Sequence, residues 1–193
     1  MLCILIRGVH FVHPLIVFVM ANIIDAEKAV KQFVEGFEPM IRGVMVENRE
    51  EVSQYIVEQL WSGINGNDKP LRPTYFNDPY FNTKEAGYWY KNAKGYAAFK
   101  NRIAPLLYSS LINAPVSSKG TPNLIITGEF HDSITATPTD KGLKIESEGV
   151  SFSSDIEKKY GQAIYRVGSY ARKTFFRRCL KQGIEDYFRK FGL

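Results

Sequence analysis

Residues 133–147 read SITATPTDKGLKIES, and this stretch decides the fold class. Polar and apolar residues alternate over its first five positions, which places Ile134 and Ala136 on one face of a strand. The central Pro-Thr-Asp-Lys-Gly segment is typical of a hairpin turn, with Gly142 suited to a left-handed backbone. The last five positions alternate again. The stretch therefore predicts an antiparallel β-hairpin.

Before the hairpin, Asn123–Thr127 predicts a short apolar run and Gly128–Asp132 predicts one turn of helix. Thr127 is placed to cap that turn, because a threonine oxygen can accept a backbone N–H at a helix start. After the hairpin, Asp155–Tyr160 predicts a short helix capped by Ser153 or Ser154.

Helical periodicity marks both ends of the chain. Apolar residues recur at three- and four-residue spacing in Ile24–Phe37, which ends ahead of Pro39, and in Asn48–Trp61, which opens with a capping-box pattern. A shorter helix is expected over 102–112. Ser169–Phe191 predicts a long C-terminal helix whose buried stripe comprises Phe176, Leu180, Ile184, Tyr187 and Phe191.

Together these elements predict an α+β fold. It has N-terminal helices, a small antiparallel β-sheet with a hairpin, and a long C-terminal helix packed on that sheet. A chain of 193 residues suits one domain, which we place at 21–193 with an extended aromatic loop at 63–122.

The first twenty residues form an apolar leader, MLCILIRGVHFVHPLIVFVM. Arg7 lies inside the apolar run, whereas a signal peptide carries its positive charge before the run. Three interpretations stay open: a start of translation at Met20, a signal or anchor, and a segment packed in the protein. We expect the first, because Met20-Ala21-Asn22 precedes an ordinary acidic helix.

Nine aromatic residues fall between Tyr75 and Phe99, with lysines interleaved. Such a segment can pack its rings onto a core or a neighbouring subunit, or form a stacking platform for single-stranded nucleic acid. We expect packing. The candidate interface aromatics are Tyr75, Tyr80, Tyr88, Trp89 and Tyr90.

The net charge of +5 is concentrated at the C-terminus. Residues 166–193 carry eight Lys or Arg against two acids, a balance of +6, which leaves −1 for the rest. The basic helix is either a solvated face, favoured by the helix dipole, or a surface that meets DNA without reading its sequence. The candidate DNA-facing residues are Arg172, Lys173, Arg177, Arg178 and Lys181.

No pattern in the sequence indicates an enzyme, a cofactor site or a metal site. Phosphate-binding glycine motifs and zinc-ligand spacings are absent, and the two cysteines, Cys3 and Cys179, do not form a ligand pair. His131-Asp132-Ser133 has the residue types of a hydrolase triad, but a triad assembles from separated positions. A hydrolase that uses His131 with a distant carboxylate is kept as a minor alternative.

The stretch from Leu124 to Arg177 resembles the tail-completion, or head–tail joining, proteins of tailed bacteriophages. The resemblance lies in a leucine, Thr-Gly, an apolar residue and Ser-Ile before a strand pair, then a tyrosine and an aromatic, basic terminal helix. Upstream, Leu60–Ile64 and Pro73–Tyr75 resemble virion proteins of phages of gut Bacteroidetes. The motif positions are Thr127, Gly128, Phe130, Ser133, Ile134, Tyr160 and Gly161.

The resemblance implies a virion structural protein at the neck between connector and tail tube. It implies a homo-oligomeric ring, contacts with portal or connector and tail proteins, and residence in the virion after assembly in the host cytoplasm. Head-to-tail contacts close such a ring by rotation. The alternative function is nucleic-acid binding through the basic helix and the aromatic-lysine segment.

Overall fold

The computed structural model describes residues 14–193, with side chains from residue 23 onward. The predictions on residues 1–13 of the leader lie outside this part of the chain. Helix α1 (Pro14–Glu47) leads to α2 (Arg49–Trp61) after a single residue. The predicted break at Pro39 is wrong, because Pro39 lies inside α1 at an exposed position. There water can hydrate the carbonyl that loses its N–H partner.

The junction between α1 and α2 is Asn48. Its side chain makes no cap hydrogen bond to α2, and its Nδ2 donates instead to the Val44 carbonyl oxygen at 2.8 Å. The predicted capping box is therefore wrong, because the asparagine side chain turns back to satisfy a terminal carbonyl of α1.

The predicted hairpin forms, with a shorter turn than the sequence predicts. Strands β1 (Ile134–Thr139) and β2 (Gly142–Ser147) pair antiparallel, with Ile134 opposite Ser147 and Thr139 opposite Gly142. Pro138 and Thr139 of the predicted turn therefore lie in β1. Ile134 and Ala136 are both buried, and Gly142 has the predicted positive φ.

A single helical turn, α4 (Glu129–Asp132), precedes the hairpin, and α5 (Ser153–Tyr160) follows it. The predicted cap at Ser153 or Ser154 is wrong, because α5 already begins at Ser153 and its N-cap is Phe152, which makes no side-chain cap hydrogen bond.

The segment predicted as an extended loop at 63–122 contains ordered turns and a helix. Three short 3₁₀ turns cover Tyr75–Asn77, Pro79–Asn82 and Lys84–Trp89, and helix α3 covers Ala93–Ile103. The helix expected over 102–112 is wrong: α3 ends at the very start of that range. Pro105 follows, where a proline cannot continue the helical hydrogen bonding.

The C-terminal helix is continuous but changes its winding. Helix α6 (Ser169–Phe175), a π turn (Phe176–Leu180) and α7 (Lys181–Lys190) follow without a gap. The π turn accommodates an extra residue and shifts the buried face around the helix axis. Phe176, predicted in the buried stripe, is consequently 47% exposed, whereas Phe175 packs against a core cluster.

The main core lies where α2 meets the hairpin. It joins buried side chains from α2, the loop after α2, α4, β1 and the segment before α6: Ile56, Leu60, Leu71, Phe130, Ile134, Ile164 and Tyr165. A second cluster, centred on Tyr55 and Ala171, fixes α6 to α2. Helix α7 packs on α1, which also borders β2. The α+β fold class is confirmed, with α2 between the hairpin and the C-terminal helix.

Candidate interaction surfaces and an internal cavity

The Thr-Gly motif residues hold the turn before the hairpin. Gly128 is the N-cap of α4 with φ +101, and Thr127 makes no cap hydrogen bond. The predicted cap at Thr127 is therefore wrong, because the helical turn begins one residue later. Ser133 Oγ donates to the Phe130 carbonyl oxygen at 2.7 Å and lies 2.6 Å from Ser147 Oγ, which ties α4 to both strands.

The remaining motif residues serve the same core. Phe130 and Ile134 are buried in the main cluster, and Tyr160 packs against it. Gly161 ends α5 with a positive φ of 76°, a conformation that glycine adopts without strain. The motif positions therefore meet around the turn and core, and their contacts in the described chain are structural.

The aromatic segment packs largely upon itself. The ring of Tyr96 lies at its centre, with centroids 5.0 Å from Tyr75, 4.9 Å from Phe81 and 5.5 Å from Trp89. Tyr75 is buried, so the prediction that it belongs to an exposed interface is wrong: its ring fills this cluster. Three predicted interface residues stay on the surface: Tyr80, Tyr88 and Tyr90.

One exposed ring stands out. Tyr88 is 85% exposed, although it stacks edge-on against the half-buried Trp89 at 4.8 Å between centroids. An aromatic side chain that remains this exposed on an ordered turn is typical of a contact residue. Lys84, Lys91 and Lys94 are also exposed, whereas Lys100 is buried.

The predicted basic residues of the C-terminal helix are all exposed, but they are not equally available. Arg178 pairs with Glu51 at 2.8 Å, Lys181 lies 3.7 Å from Glu185, and Arg172 donates to the Val167 carbonyl oxygen at 3.0 Å. Within residues 23–193, Lys173 and Arg177 have no ion-pair partner. The surface free to meet an anion is thus smaller than the sequence predicts.

The α1 helix carries an apolar stripe that α7 does not cover. Phe33 and Phe37 pack against Tyr187 and Phe188 of α7. On the adjacent side of α1, three residues at helical spacing remain more than half exposed: Ile23, Val30 and Val34. This surface could not be predicted from the sequence, since an apolar stripe does not reveal which of its residues a neighbouring helix covers.

His131, the residue of the alternative hydrolase interpretation, is a buried side chain. It is 5% exposed, its Nε2 has no hydrogen-bond partner within residues 23–193, and burial lowers its pKa to about 4. The hydroxyl of Ser133 is already hydrogen-bonded to the Phe130 carbonyl oxygen and to Ser147 Oγ. Among the described residues, no group of three His, Cys, Asp or Glu side chains could hold a metal ion.

A cavity of about 270 Å³ lies between α3, α5 and the extended segment 122–128. Four of the seven motif residues line it: Thr127, Gly128, Phe130 and Tyr160. Lys100 of α3 also lines it, although this lysine is only 2% exposed and its Nζ has no hydrogen-bond partner among the side chains and backbone described for residues 23–193. The sequence indicates the burial of Lys100 only by its spacing: Ala93, Tyr96, Ala97 and Lys100 lie on one face of a helix.

Comparison with protein-family models, curated proteins and solved structures finds no match. Of the helices within residues 14–193, none combines the length and the apolar character needed to cross a bilayer.

Proposed function

We propose that this chain is a non-enzymatic structural protein of a tailed-phage virion. Its role is that of a subunit of the ring that joins head to tail, as the resemblance of the hairpin region and the terminal helix implies. Its partners are further copies of itself and the portal or connector and tail proteins, and its locations are the host cytoplasm during assembly and then the virion.

The observation that carries this proposal is the uncovered stripe of α1. Isolated apolar residues are common on protein surfaces, but Ile23, Val30 and Val34 follow one line of a helix and all are more than half exposed. The stripe borders the α1–α7 aromatic cluster, none of whose rings is fully buried. A helix face of this kind favours packing against another subunit.

Two further surfaces support assembly through heterologous contacts, in which one patch of a subunit binds a different patch of its neighbour. Within residues 14–193 the hairpin is a two-stranded sheet, so each strand has an edge that no other described strand covers, and such an edge can pair with another chain. Tyr88 projects from the aromatic segment, remote in sequence from both α1 and the hairpin. Different patches on one subunit are what a head-to-tail ring requires.

The direct test begins with mass spectrometry of purified virions, which should contain the chain at a constant, ring-like copy number. A phage lacking the gene is then complemented with Val30→Lys/Val34→Lys or with the control Ala29→Lys/Gln32→Lys. All four positions are exposed, so both variants should fold, but only the first should leave heads and tails unjoined. Absence of the chain from virions, or equal assembly by both variants, contradicts the proposal.

Non-specific DNA contact is the second candidate function, supported by Lys173 and Arg177, which are exposed without an ion-pair partner among residues 23–193. Reversing both charges should reduce the salt dependence of DNA binding. Each phosphate contact adds about 0.9 to the slope with which the logarithm of the binding constant falls against the logarithm of the salt concentration. Reversing Lys181 and Arg189, which already lie beside Glu185 and Asp186, is the matched control. Equal slopes for the two variants contradict this function.

A further inference from the structure

We infer that the cavity between α3 and α5 is a binding site for a small monocarboxylate with an apolar body. The inference is independent of the role in virion assembly, because it depends only on the walls of the cavity and on the one lysine among them that has no ion-pair partner within residues 23–193.

The walls of the cavity are mainly apolar. Leu124, Ile125, Phe130, Phe152 and Ile156 contribute hydrocarbon surface to it. A ligand that fills this space removes that surface from water, which favours binding in proportion to the apolar area covered. The cavity reaches solvent beside Ile126, which lines it and is 70% exposed, so a ligand has a route of entry.

The polar feature of the cavity is Lys100. A buried ammonium without a hydrogen bond is costly, and here burial lowers the pKa of Lys100 to about 8. The side chain therefore keeps most of its positive charge at neutral pH, although it forms no ion pair or hydrogen bond within residues 23–193. Burial of this kind, in a cavity, is typical of a ligand site.

The other charged groups at the cavity are already compensated. Lys159 forms an ion pair with the buried Asp78, and Asp155 lies 3.6 Å from Lys158 on the outer face of α5. The neutral hydroxyls of Tyr75, Tyr96 and Tyr160 complete the polar edge, and burial raises the pKa of all three. The uncompensated charge is thus a single positive one.

One uncompensated amine among apolar walls selects the chemical class of the ligand. A carboxylate supplies one negative charge and strong acceptors for the ammonium hydrogens. A phosphate would bring more charge than one amine can balance, and a neutral ligand would leave the ammonium without a counter-charge. A volume of 270 Å³ admits a ligand of about ten non-hydrogen atoms, since an apolar cavity of about 150 Å³ holds benzene.

The test is isothermal titration of the full chain with octanoate and with octanamide, which has the same length and no charge. Octanoate should bind at least tenfold more tightly at pH 7. Its affinity should fall as the pH rises above 8, whereas the affinity of octanamide should not change. This pH comparison uses only the wild-type chain, so it does not depend on how any variant folds.

The matched variants are Lys100→Met and Lys94→Met. Lys100→Met keeps the length of the side chain and removes the buried charge, so it should fold and lose at least tenfold in octanoate affinity. Lys94→Met removes a charge from an exposed position of the same helix, away from the cavity, and should bind as the wild type does. The inference is overturned if octanoate does not bind, if octanamide binds equally well, or if Lys100→Met keeps the wild-type affinity.

Discussion

The hydroxyl of Tyr187 on α7 lies over Gly36 of α1, so closely that a Cβ at Gly36 would come within about 2.4 Å of the phenolic oxygen. The same hydroxyl donates to the Phe33 carbonyl oxygen at 2.7 Å. The approach of the two helices therefore requires a residue without a side chain at position 36. This contact holds α7, near the C-terminus, against α1.

Gly36→Ala should destabilise the protein, although the intrinsic helix propensity of alanine is better than that of glycine by about 1 kcal/mol. The methyl group would displace Tyr187, break its hydrogen bond at a cost of about 1 kcal/mol, and disturb the packing of its ring against Phe33 and Phe37. Overpacking of this kind costs about 1–3 kcal/mol more, so the sum exceeds the gain in helix propensity. Gly43→Ala is the matched control on the same helix, since nothing lies within 4 Å of its Cβ, and it should stabilise. Urea denaturation measures both.

A double variant separates the clash from other effects at Gly36. Tyr187→Phe removes the oxygen that the new methyl group would meet, and the next ring atom lies 3.4 Å away. Gly36→Ala/Tyr187→Phe should therefore be more stable than Gly36→Ala alone. If it is equally destabilised, the packing of α7 over Gly36 is not the cause.

The second prediction concerns Gln59, which holds the chain entering α6. Its Oε1 accepts from the Gly168 backbone N–H at 3.0 Å, its Nε2 donates to the Arg166 carbonyl oxygen at 3.1 Å, and the side chain is 1% exposed. Gln59→Leu leaves both backbone groups unpaired, at about 1–3 kcal/mol each.

Thermal and urea denaturation should show Gln59→Leu to be less stable by about 2 kcal/mol or more. Gln54→Leu, on the exposed face of the same helix, should change stability by less than about 0.5 kcal/mol. Similar effects from the two substitutions would mean that the Gln59 hydrogen bonds do not hold this segment.

The sequence could predict the hairpin because its signals are local. The alternation through Ile134 and Ala136 and the glycine at 142 act within a few residues, and each has the predicted burial or backbone conformation. The sequence predicted that helices form at both ends of the chain, but it did not predict where each one ends. The N-terminal helix continues through Pro39 because this residue lies on its exposed side, and which side is exposed depends on how the rest of the chain packs.

The surfaces were not predictable because they depend on which partner covers each apolar residue. Tyr75 and Tyr88 are the same residue type in one segment, yet one fills a cluster and the other is exposed. The π turn puts Phe176 outward, and a uniform helical period cannot show that shift. Lys100 lies on an apolar stripe, but only the folded chain shows that it lines a cavity.

The third prediction concerns pH. Burial holds the pKa of His131 at about 4, below the ordinary value of 6.5, because the folded protein favours the neutral ring. The unfolded chain therefore binds a proton first as the pH falls. The resulting stability is fully present above pH 6.5 and is lost progressively toward pH 4, by at most about 3 kcal/mol.

Urea denaturation of wild type and His131→Asn across this range checks the prediction. Asparagine does not titrate, so the variant should lack this component of the pH dependence. The smaller side chain changes the free energy of unfolding by the same amount at every pH. Carboxylates contribute equally to both proteins, which makes the difference between the two curves the quantity of interest. Parallel curves from pH 7 to pH 4 would contradict the assignment to His131.

The last prediction separates the two adjacent motif residues, Thr127 and Gly128. Gly128 has φ +101, where a residue with a Cβ is strained by about 1–2 kcal/mol. The nearest atom to a Cβ there is Asp132 Oδ2 at 3.7 Å, so Gly128→Ala should destabilise through the backbone and not through a clash. Thr127 is exposed and makes no cap hydrogen bond. Thr127→Ala should therefore change the free energy of unfolding by less than about 0.5 kcal/mol, and a larger loss would restore the capping role that the sequence suggested.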